Sequence, residues 1–77
     1  MSQELERSTV TEEELTRIEE QIQTRLLGRV RDFQLVVRDH RLVLRGHAHT
    51  DYAKQLALKV ARETTWMPIQ ANEIEVT

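Results

Sequence analysis

The sequence predicts an α+β domain of order α-β-β-α-β, a three-stranded mixed sheet with two helices packed on one face. Three observations predict it. Apolar residues recur at helical spacing in two separate stretches, they alternate with period two in the segment between, and a short alternating stretch closes the chain. At 77 residues there is room for one core. Residues 1–10 lack periodicity and are expected to form a flexible tail, leaving 11–77 as a single folded unit.

The first helix starts at Thr11. Thr11-Glu12-Glu13-Glu14 reads as a capping box, and Val10 and Leu15 stand at the two positions of a hydrophobic staple. Leu15, Ile18, Ile22 and Leu26 then draw one apolar stripe. Glutamates crowd the positive end of this helix and Arg25 and Arg29 its negative end, as the macrodipole favours. Gly28 is the expected left-handed stop.

Past Gly28 the period falls to two. A hairpin turning at Asp39-His40 pairs Val37 with Leu42, Leu35 with Leu44 and Phe33 with Gly46 on one face. The same register pairs Val36 with Val43, Gln34 with Arg45 and Arg38 with Arg41 on the other. The second helix begins at Thr50 or Asp51 and buries Ala53, Leu56, Ala57, Val60 and Ala61. Thr64-Thr65 and Pro68 end it. A last strand, 71–76, puts Ile74 and Val76 opposite in sense to Glu73 and Glu75. A strand, a helical crossover and another strand favour a right-handed parallel connection, which makes the second strand central. Both helices are expected to cover Phe33, Leu35, Val37, Leu42, Leu44, Ile74 and Val76, leaving the reverse face of the sheet open.

Composition narrows the chemistry. Eleven Lys and Arg against thirteen Asp and Glu give a formal charge of −2, unlike the basic excess of general nucleic-acid binders, so no nucleic-acid partner is expected. There is no Cys, which excludes disulfides, thiolate zinc sites and thiol nucleophiles. Serine occurs only at Ser2 and Ser8, and the two glycines, Gly28 and Gly46, cannot build a phosphate-cradling loop. No catalytic residues and no cofactor are therefore expected. No apolar run approaches the roughly 20 residues of a membrane span, and the N-terminus lacks an apolar signal region. That leaves a cytosolic domain, or one excised from an exported or membrane-anchored parent.

At this point the chain resembles the BON domain, a bacterial module of the same element order. The resemblance spans roughly 11–77 and rests on Leu35-Val36-Val37-Arg38-Asp39, on Leu42-Val43-Leu44-Arg45-Gly46, on Asp51-Tyr52-Ala53-Lys54 and on the ending Asn72-Glu73-Ile74-Glu75-Val76. The sequence departs from the family pattern at His40, where Gly is usual in the turn. It departs again at Trp66-Met67, where Gly and an aliphatic residue are common, and at Gln70, a commonly aliphatic position. What the resemblance implies is a non-catalytic module that contacts phospholipid surfaces or other envelope proteins.

Charge is unevenly spread. Residues 1–20 carry seven Glu against Arg7 and Arg17, a net of −5, whereas residues 25–45 carry six Arg against Asp32 and Asp39, a net of +4. The arginines converge on the reverse sheet face, where Arg38, Arg41 and Arg45 surround Val36 and Val43. This is the candidate surface for an anionic lipid or an acidic partner, with each cation near an anionic membrane contributing about 1 kcal/mol. The competing reading, favoured by strand parity, is an internal charge ladder in which Glu73 and Glu75 compensate the arginines.

Trp66, beside Met67 and Pro68, is either an interfacial anchor or, as preferred for an aromatic-poor domain, a cap over the end of the core. His47 and His49 point to one side of a strand with Asp51 nearby, but two exposed histidines without a third assured ligand read as solvated rather than as a metal site. The alternative to lipid contact is a homodimer joined through Val36, Val43 and a sheet edge.

Overall fold

The computed structural model describes residues 11–77. The expected tail, and with it the Val10 half of the staple, lies outside them. The elements are α1 (Glu12–Leu26), β1 (Val30–Arg38), β2 (Arg41–Ala48), α2 (Asp51–Thr64), β3 (Ile69–Asn72) and β4 (Glu75–Val76). The class is α+β with a mixed sheet and β2 at its centre: β1 pairs antiparallel to it, β3 and β4 parallel.

Local chemistry sets each boundary. The Thr11 hydroxyl accepts from the Glu14 N–H at 3.1 Å, and the Glu14 carboxylate accepts from the Thr11 N–H at 3.1 Å, completing the capping box. The left-handed stop begins one residue earlier than expected: Leu27 has φ 54° and ψ 41°, ahead of Gly28 at φ 80°. Thr50 caps α2 by accepting from the Ala53 N–H at 3.1 Å. Asp39 and His40, at φ 54° and 64°, form the primed two-residue turn.

The hairpin register holds from Arg38–Arg41 through Gln34–Arg45 and then slips. The expected Phe33–Gly46 pair is absent, because β1 inserts one extra residue at Asp32 (φ 54°), so Asp32 and Phe33 together oppose Gly46. That insertion is what lets Val30 and Phe33, out of phase by sequence, both enter the core. Gly46 is required here. Its φ is 152°, and a Cβ would stand 2.9 Å from Val30 Cγ1 and 3.0 Å from the Arg31 carbonyl oxygen.

The single last strand expected over 71–76 is two segments. Asn72 makes the break: its side-chain amide donates to the Lys54 carbonyl at 2.8 Å, and its Oδ1 accepts from the Ile74 N–H at 3.3 Å. One side chain thus ties the edge of the sheet to α2 and turns the backbone. Ile74 is seated in the core beyond the break.

The core gathers Ile22 and Leu26 of α1, Val30, Phe33 and Leu35 of β1, Leu42, Leu44 and Ala48 of β2, Ala53, Ala57, Val60 and Ala61 of α2, with Met67 and Ile74. The alanines of α2 let that helix approach the sheet closely. Two expected core residues are corrected: Val37 is 42% exposed and Val76 43%. They occupy opposite corners of the sheet, each near the outer end of an edge strand, where side chains on the core face have few neighbours.

Helix α1 also serves the free edge of β1. Glu19 Oε2 accepts from the Leu35 N–H at 2.8 Å, and Gln23 Nε2 donates to the Phe33 carbonyl at 3.1 Å. Two residues one helical turn apart therefore occupy main-chain groups that would otherwise template another strand. Arg25 joins the helices through Glu63 at 2.7 Å, with both side chains about half exposed, a contact contributing about 0–1 kcal/mol.

Candidate functional site

On the reverse face of the sheet, Val36, Val43 and Ala71 form one row, since Val43 pairs with Val36 on one side and Ala71 on the other. Arg38 and Arg41 flank that row toward the turn. Below it, Gln34 pairs with Arg45, and Glu73 follows Ala71 by two residues, level with Arg45. His47 pairs with Glu75 one row further.

This face is less open than alternation suggested. Val43 has no exposed surface, although it lies outside the core cluster, and Val36 is half-buried. One contact runs diagonally across it. Arg38 Nη1 lies 3.3 Å from Glu73 Oε2, and the register puts Val43 midway between these two residues. The line from Arg38 to Glu73 passes over Val43, which places the aliphatic stem of the arginine to cover the valine while its head meets the carboxylate.

The charge ladder is thus present in part, with Glu73 on Arg38 and Glu75 facing His47 (Nδ1 to Oε1, 3.5 Å). Arg41 and Arg45 are exposed and form no ion pair among the described residues. A shallow depression toward the far end of this face is lined by Asp32, Gln34, Arg45, His47, Glu73 and Glu75. Arg45 therefore sits among acids, while Arg41 stands beside the turn residue Asp39 without an ion pair among the described residues. The cationic character concentrates toward the hairpin.

Trp66 is corrected as a cap. It is 76% exposed, and Met67 takes the core position instead, at 6%. The Thr65 hydroxyl accepts from the Met67 N–H at 3.1 Å, which sets the turn that sends the two side chains apart. The Pro68 carbonyl accepts from the Leu42 N–H at 2.9 Å, so Trp66, two residues earlier, stands at the hairpin end of the sheet. Arg38, Arg41 and an exposed indole thus share one end of the molecule.

The remaining motifs gather little. His47 and His49 are exposed, and among the described residues no three His, Asp or Glu side chains converge as a metal site. No helix among the described residues is long and apolar enough to cross a membrane. Sequence reasoning missed Glu19 and Gln23 as edge-capping residues. Their one-turn spacing on the flank of the α1 stripe was the available signal. No protein-family model, curated protein or solved structure matches the chain.

Proposed function

We propose that this chain is a non-catalytic, BON-like binding module that contacts anionic phospholipid surfaces or an acidic envelope protein. The observation that carries the reading is the grouping of Arg38, Arg41 and the exposed Trp66 at the hairpin end, beside Val36 and Val43. Cations attract anionic headgroups, and an exposed indole is the side chain best suited to the boundary between headgroup and acyl chain. Arg45 adds charge at the acidic end of the same face and contributes less.

Co-sedimentation with anionic against zwitterionic vesicles tests this reading. Selective pelleting with the anionic vesicles is expected, lost when Arg38, Arg41 and Arg45 are all replaced by Gln. Equal pelleting of the triple variant would remove these residues from the interface. The homodimer alternative has a specific obstacle at β1, because pairing along that edge would displace Glu19 from Leu35 and Gln23 from Phe33.

A further inference from the structure

We infer that Glu73 is a built-in stand-in for the anionic headgroup: it holds Arg38 across Val43, and a lipid phosphate takes its place. The inference rests on the lipid reading above and refines it. The Arg38–Glu73 contact is a single 3.3 Å approach between side chains 46% and 41% exposed. Such pairs are weak and screened by solvent, so a membrane surface presenting many phosphates can compete for the guanidinium. A phosphate also offers Arg more acceptor oxygens than a carboxylate engaged through one nitrogen.

Exchange has a second consequence on this face. Val43 has no exposed surface although the helices pack on the other side of the sheet, so side chains of this face cover it, and an Arg38 reaching to Glu73 is placed to be one of them. When Arg38 turns from Glu73 toward a headgroup, the Val36–Val43 row is uncovered beside the bilayer. Charge contact and apolar contact are thus coupled through one arginine. Arg41, exposed and free of ion pairs among the described residues, needs no such release and makes the first encounter. Acidic groups oppose this attraction, Asp39 within the turn itself and two more at the other end of the face. Glu75 and Asp32 share this face and disfavour close approach of its far end, which directs the lipid to the hairpin half.

The test uses the full chain and vesicles of phosphatidylglycerol with phosphatidylcholine, with pure phosphatidylcholine as the control. Glu73→Gln should tighten partitioning about 3- to 5-fold, the scale of a weak exposed ion pair. Glu75→Gln makes the same change in net charge on the same face and should give less than half that gain. In an Arg38→Gln background the advantage of Glu73→Gln over Glu75→Gln should vanish. Equal gains from the two acid variants, with wild type binding, would reduce the effect to net charge and overturn the exchange while leaving lipid binding standing. No partitioning by any variant would overturn both. A lipid-free readout stands beside these. The Val43 methyl signals should broaden more with a soluble nitroxide in Glu73→Gln than in wild type, and unchanged broadening would show that Arg38 does not cover Val43 by holding Glu73.

Discussion

The guanidinium of Arg38 and the carboxylate of Glu73, 35 residues apart in sequence, meet at 3.3 Å over a valine that alternation would leave exposed. The pair joins β1 to the link between β3 and β4 across the central strand. It places long polar side chains over an apolar residue of a solvent-facing sheet surface. The core face is covered by the helices instead.

Leu44 is fully buried on the central strand, under both helices. Replacement by Ala is expected to cost about 2–5 kcal/mol. A domain of this size has a total of roughly 4–12 kcal/mol on the usual per-residue scale, so the variant stands close to unfolding. Urea denaturation followed by circular dichroism measures it, and a loss below about 1 kcal/mol would contradict the core assignment.

Gly46→Ala should cost about 1–3 kcal/mol through overpacking and a backbone conformation unsuited to a Cβ. The obstacle includes the Arg31 carbonyl, which belongs to the bulge and cannot rotate away as a side-chain tip would. A neutral result in the same denaturation assay would show that the bulge opposite Gly46 relaxes freely.

Glu19→Ala uncovers the Leu35 N–H on the edge strand. The expected loss is about 1 kcal/mol, since the contact is only part-buried and water can replace the carboxylate. Faster exchange of the Leu35 amide, seen by hydrogen-exchange NMR, is the local signature. Unaltered exchange would mean that this amide is protected by something other than Glu19.

Leu27 adopts the left-handed conformation while 78% exposed, so it carries backbone strain without compensating burial. Leu27→Gly is therefore expected to raise stability by about 0.5 kcal/mol, the relief of strain slightly exceeding the added chain entropy of glycine. A measured loss would reveal packing by Leu27 that its exposure conceals.

Trp66→Ala distinguishes an anchor from a core residue. With the indole exposed, thermal stability should stay within about 0.5 kcal/mol of wild type, as at other surface positions. Binding to anionic vesicles should weaken several-fold in the same variant. A large fall in melting temperature would return Trp66 to the core, and unimpaired vesicle binding would take it out of the interface.

The α+β class, the order of elements as far as the second helix, the Thr11 capping box, the primed turn and the hairpin register near it were all legible in the sequence. Each depends on residues a few positions apart, whose conformational preferences and alternation act locally whatever the rest of the chain does. The same alternation placed Leu35 and Leu44 inward correctly, and it placed Arg38, Arg41 and Arg45 on the reverse side. The bulge has a local signal too: Val30 is out of phase with Phe33 and Leu35, and only an inserted residue can bring all three to one face.

What the tertiary structure alone decided involves groups far apart in the chain. Glu19 reaches Leu35 and Asn72 reaches Lys54, and although parity put Glu73 on the face of the arginines, the fold decided that Arg38 is the one it meets. The break between β3 and β4 follows from the Asn72 placement, and the cover over Val43 from that of Arg38, while the Thr65 turn sends Met67 rather than Trp66 inward. The physical reason is that periodicity assigns a residue to a face, whereas burial depends on what crosses that face. For a long charged side chain, that is settled by where its counter-charge stands in the folded sheet.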